Sequence, residues 1–89
     1  MSEIKQLHQL LEEMVKSATN GDKEKVLELN RRYEQLVPRA YHKPPTKLDL
    51  EYDNCRHSCV MSLTMLKDFN ELLILDAQER FSKITKSSE

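Results

Sequence analysis

The chain contains one glycine, Gly21, and three prolines, Pro38, Pro44 and Pro45, in 89 residues. These two residue types most often interrupt or end helices, so the long stretches between them are free to be helical. A single glycine also excludes glycine-rich phosphate-binding loops, which need several residues that tolerate positive φ. We therefore do not expect a kinase, a P-loop NTPase or a dinucleotide-binding enzyme.

Composition limits the size of the core and the class of partner. Only 38% of the residues are hydrophobic and 33% are charged, which predicts one small domain over residues 1–89 with elongated elements. The 14 basic and 15 acidic residues are interspersed, with no basic stripe of the kind that binds nucleic acid. The longest uncharged stretch, residues 57–66, is too short to span a bilayer. We expect a soluble, cytoplasmic protein that binds neither nucleic acid nor membranes.

Apolar residues recur at helical spacing in three segments. The first segment, residues 3–19, ends at Asn20-Gly21, and Asp22 can serve as the N-cap of the second, residues 22–40. The proline-containing loop 41–46 follows, and Thr46 or Asp49 can cap a third helix over residues 47–86. The core stripe predicted for this helix consists of Leu48, Tyr52, Cys55, Cys59, Leu63, Leu66, Phe69, Leu73, Ala77, Phe81 and Ile84.

These segments predict an all-α fold, a small antiparallel three-helix bundle with a long third helix. An alternative makes the first two helices one kinked rod that packs against the third. The residues Asn20-Gly21-Asp22 favour a reversal over the rod.

The segment Cys55-Arg56-His57-Ser58-Cys59 has the residue types of a metal site but not the geometry. On a helix, His57 lies about 200° from Cys55, so one ion cannot be bound by both cysteines and the histidine. The same angle argues against a Cys–His nucleophilic pair. We therefore predict cysteines that pack in the core, no metal or cofactor, and no enzymatic activity.

A second apolar strip lies away from the core direction. Its members are Met61, Met65, Leu72 and Leu75 of the third helix, with Leu27 of the second. One interpretation is a broad core, because a long helix has to contact two partners. The other is an exposed surface for a partner helix, for which flexible methionine side chains are well suited.

Two segments resemble the FliT-type flagellar export chaperones. The segment from Leu10 to Val37 has an alanine and then Gly21-Asp22 at the helix reversal, with an aromatic residue eleven positions later. The segment from Met65 to Ile84 is similar to the family's third helix, with matches at Leu72, Leu73 and Arg80. The loop with Pro44 and Pro45 and the segment 55–59 have no counterpart, and longer members carry a further C-terminal helix.

The resemblance implies a cytoplasmic chaperone that holds the filament-cap protein before type III export. In some members it implies binding to export-ATPase components or to a flagellar transcription activator as well. Three alternatives stay open from the residues themselves. They are a small regulator that sequesters a transcription factor or another protein, a homodimer that pairs through the apolar strip, and a metal-dependent redox or zinc module.

Overall fold

A computed structural model of the chain describes residues 3–64 and 67–88, with side chains for residues 3–64 and 69–86. The described residues form four helices and no strands. The helices are α1 (Glu3–Thr19), α2 (Lys23–Ala40), α3 (Lys47–Thr64) and α4 (Lys67–Ser88). The predicted all-α class is therefore confirmed, and α1 and α2 lie where the periodicity placed them.

The turn between α1 and α2 reverses the chain within three residues. Gly21 has a φ of +73°, and its N–H donates to the carbonyl of Ala18 at 3.0 Å, while the N–H of Asp22 donates to the carbonyl of Ser17 at 2.9 Å. This is the Schellman pattern of helix ends. Asp22 then caps α2 by accepting a hydrogen bond from the N–H of Lys25. Because α1 and α2 pack against each other from this turn, the reversal is confirmed and the kinked rod is wrong.

The connection between α2 and α3 is held by the carboxylate of Asp49, which is only 1% exposed. One oxygen accepts from the N–H of Thr46 and from both the N–H and the Nδ1 of His42, at 2.9–3.1 Å. Thr46 Oγ1 accepts in return from the N–H of Asp49, which completes a capping box. Burial alone would raise the pKa of Asp49, but these hydrogen bonds outweigh it and hold the pKa below its usual value.

The long third helix predicted over residues 47–86 is wrong, because the structure has two antiparallel helices there. The thiol of Cys55 donates a hydrogen bond to the carbonyl of Ala77, and Glu51 pairs with Arg80. A higher residue number in α3 is thus paired with a lower one in α4, which shows that the two helices are antiparallel. A single helix of this length would extend roughly 60 Å, whereas the longest dimension of the molecule is 36 Å. Because α3 and α4 fold back on each other, the two halves of the apolar stripe bury each other. The helices α1 and α2, with 17 and 18 residues, are too short to cover the whole stripe of a single long helix.

The four helices form a bundle in which α1 and α3 are central. Each of these two packs against the other three, whereas α2 and α4 make no contact within the described residues and lie at opposite corners. The core between them is formed by Leu7, Leu11, Met14, Ala18, Val26, Leu29, Tyr33, Tyr52, Cys55, Cys59, Ala77 and Ile84. The outer side of α4 is therefore a peripheral face of the molecule.

Candidate protein-binding surface

Three large apolar side chains of α4 face solvent. Phe69, Leu72 and Leu75 are 50%, 64% and 57% exposed, respectively. The spacing of three residues places consecutive members about 60° apart around the helix, so they follow one side of α4 over nearly two turns. We call these three residues the α4 patch. Of the described large apolar residues only Leu27 and Leu50 are comparably exposed, and they lie on other helices.

Met61 of α3 lies at the same level along the α3–α4 pair as Leu72 of the α4 patch. The Ser58 hydroxyl donates a hydrogen bond to the Asp76 carboxylate, which fixes the level at which α3 and α4 run side by side. Met61 is one turn after Ser58 and Leu72 is one turn before Asp76, so antiparallel packing brings both to the same level. Met61 is half-buried and can extend the apolar surface across the α3–α4 seam.

The other residues predicted for the second apolar strip are placed differently. Leu27 is 36% exposed on α2, which does not contact α4 within the described residues, so the structure does not join it to the α4 patch. Met65 lies outside the described residues. Leu72 and Leu75 are brought together, and they line one shallow groove with Asp76, Gln78 and Glu79.

The spacing places Phe69 in the predicted core stripe, and this prediction is wrong, because the side chain is 50% exposed. The same stripe places Ala77 and Ile84 correctly in the core, so its phase is right along α4, and Phe69, near the start of that helix, is the exposed member. Phe69 is three residues before Leu72, and Leu75 is three residues after it. The spacing of three that links Phe69 to Leu72 and Leu75 of the predicted second apolar strip is the sequence signal that could have identified Phe69 as part of the surface.

A polar seam beneath the α4 patch fixes α4 on α3. Arg80 Nε donates to Asp76 Oδ2 at 2.8 Å, and its Nη1 lies 3.6 Å from Glu51 Oε2. Partial burial would raise the pKa of Asp76, but the hydrogen bonds from Ser58 and Arg80 outweigh it and hold the pKa below its usual value. Asp76 and Arg80 pair within α4, and their contacts with Ser58 and Glu51 join α4 to α3.

The two cysteines are buried packing residues, as the sequence predicts. Both are free thiols, and Cys55 Sγ donates to the carbonyl of Ala77 at 3.4 Å. A hydrogen bond with Cys59 and burial raise the pKa of the Cys55 thiol, which keeps it protonated and a poor nucleophile. His57 is exposed on another side of α3. Within residues 3–64 and 67–88 no group of three or more His, Cys, Asp or Glu side chains is arranged to hold a metal ion.

The fold and surface define an all-α bundle with an exposed apolar patch on a peripheral helix. Comparison with protein-family models, with curated proteins and with solved structures finds no match. Among the described residues, none of the helices has the length and apolar character required to cross a membrane.

Proposed function

We propose that this protein is a non-enzymatic binding protein that receives a helix of another protein on the α4 patch. The observation that carries the proposal is the exposure of Phe69, Leu72 and Leu75 side by side on one peripheral helix. A helix that presents apolar residues to water along two turns has not completed its packing within the monomer. A partner helix is the occupant that fits a groove along a helix axis.

The α4 patch can supply a large part of the free energy of a reversible binding event. Full burial of one such side chain contributes roughly 1.5–3 kcal/mol, so three of them contribute about 5–9 kcal/mol before ordering costs are subtracted. Micromolar binding requires about 8 kcal/mol of net free energy. The α4 patch therefore needs additional contacts with the partner. Met61 can provide apolar contacts, and Gln78 and Glu79, which line the groove of the α4 patch, can provide polar ones.

Within this class, we assign the protein to cytoplasmic chaperones of the FliT type that hold the filament-cap protein before export. The support is the sequence resemblance around Gly21-Asp22 and in α4, together with a helical surface of the required kind. The residues that resemble the family's third helix, Leu72 and Leu73, lie on the helix that carries the α4 patch.

The test is a calorimetric titration with the filament-cap protein of the organism that encodes this chain. We expect micromolar binding that is lost in the variant Leu72→Asp with Leu75→Asp, while far-UV circular dichroism is unchanged. Leu50→Asp is the matched control, because Leu50 is 54% exposed at the other end of the α3–α4 hairpin. It should bind like the unmodified protein.

The outcomes separate two parts of the proposal. Absence of binding by the unmodified protein contradicts the assignment to filament-cap chaperones. Binding that survives in the double aspartate variant shows that the α4 patch is not the docking surface.

A further inference from the structure

Carboxylates lie beside the α4 patch. Glu71 precedes Leu72 directly, and Glu79 follows Leu75 by one turn and lines the same groove. Both glutamates are exposed, and neither forms an ion pair within the described part of the chain. Lys83 follows Glu79 by four residues but forms no ion pair with it among the described residues. The negative charge around the α4 patch is therefore not neutralised locally by a described side chain.

The described cations of α4 do not cancel this charge. Arg80 is engaged by two carboxylates, Asp76 and Glu51, so its positive charge is already compensated. Lys83 lies one turn beyond Glu79 and helps to lower the pKa of Asp76, but it is about 12 Å along the helix axis from Leu75. Among the described side chains, Glu71 and Glu79 are thus the charged groups beside Leu72 and Leu75 that have no ion pair, and they attract basic groups while they repel acidic ones.

We propose that the partner segment is a basic amphipathic helix, with leucine-like side chains on one face and lysine or arginine flanking that face. The inference rests on the proposed function, because it names the chemistry of the partner for the same patch. The apolar face would cover Leu72 and Leu75, and the basic flanks would meet Glu71 and Glu79. A second copy of this chain is disfavoured as occupant, because two patches would bring the same carboxylates together.

The test uses two fluorescent peptides of equal length with identical leucine positions, one flanked by lysines and the other by glutamates. Their affinities are measured by fluorescence anisotropy at low and at high ionic strength. At low ionic strength we expect the lysine peptide to bind about 10-fold more tightly than the glutamate peptide. The difference should shrink at high ionic strength, because exposed charges are screened.

Two variants assign the preference to the carboxylates. Glu71→Gln with Glu79→Gln should weaken binding of the lysine peptide about 5-fold. The matched control is Glu13→Gln with Glu24→Gln, which removes two exposed carboxylates of α1 and α2. It should leave the affinity unchanged. A third variant, Leu72→Ser with Leu75→Ser, should bind neither peptide.

Each result has one meaning. Equal affinity for the two peptides, no binding of the lysine peptide, or equal effects of the two glutamine variants overturns the inference of a basic partner. If the two peptides bind equally well and the variant Leu72→Ser with Leu75→Ser binds neither, the proposed function stands without the inference of a basic partner. If the serine variant keeps both peptides, the α4 patch is not the docking surface and the proposed function fails as well.

Discussion

Gly21 and Asp49 are the residues on which the two turns before α3 depend. Gly21 takes a left-handed conformation that side chains with a Cβ disfavour, and Asp49 gathers three donors on one buried oxygen. Both roles were visible in part from the sequence. Asn20-Gly21-Asp22 indicated the reversal and Thr46 or Asp49 the cap, but the participation of His42 depends on the path of the loop, which no local pattern predicts.

At Gly21 the cost of a side chain should be conformational alone. A Cβ at this position would meet no atom within 4 Å, so steric clashes do not contribute. We expect Gly21→Ala to lower the free energy of unfolding by about 1 kcal/mol and Gly21→Val to lower it more, because a β-branched residue tolerates positive φ least. Urea unfolding followed by circular dichroism measures both. Unchanged stability in both variants would contradict the left-handed turn.

Asp49 should make the protein sensitive to acid. Its pKa is lowered from 3.8 in the folded state, so the unfolded chain binds more protons as the pH falls. The stabilisation is present above the unfolded pKa and is lost as the pH falls through the folded one. Asp76 has a shift of the same sign. We therefore expect the free energy of unfolding to decrease from about pH 5 downward.

The variant Asp49→Asn isolates the contribution of this group. It keeps an acceptor but removes the charge, which should cost about 1 kcal/mol at neutral pH. Its stability should then fall less steeply with acid than that of the unmodified protein, with Asp76 responsible for the remaining slope. Glu13→Gln, at an exposed position, serves as the control. Parallel pH curves for Asp49→Asn and the unmodified protein would refute the role assigned to Asp49.

At the scale of elements, α1 and α2 could be predicted from sequence and the division between α3 and α4 could not. Gly21 interrupts the pattern before α2, whereas no glycine or proline occurs from residue 48 to 88. The apolar spacing of α3 and α4 is also compatible with one continuous stripe. What separates the two is tertiary, because a helix twice as long as its partners leaves part of its apolar surface unburied.

A distance across α3 and α4 distinguishes the hairpin from one long helix. Leu50 and Ser82 are exposed and lie at the same level, close to the pair between Glu51 and Arg80. Spin labels on Leu50→Cys with Ser82→Cys should be about 15–25 Å apart by pulsed electron paramagnetic resonance, because packed helix axes are 8–10 Å apart. The native cysteines are buried and should label poorly. A distance near 48 Å would indicate a continuous helix.

At the scale of the molecule, the central helices stabilise the fold and one peripheral helix carries the candidate binding surface. The central helices α1 and α3 supply most of the core, and α4 at one corner presents the patch with its acidic surroundings. Leu72 and Leu75 were identifiable from sequence because they point away from the core stripe. Leu27 has the same property on the opposite corner, and only the three-dimensional arrangement shows that it belongs to a different face.

The central claim, that the α4 patch is where a partner docks, is tested most directly by mapping the binding site with nuclear magnetic resonance. Amide spectra of the labelled protein are recorded while the lysine peptide is added. We expect the largest shifts on residues 69–79 of α4 and near Met61, with small changes on α2. The largest shifts on α1 and α2, with α4 unaffected, would contradict it.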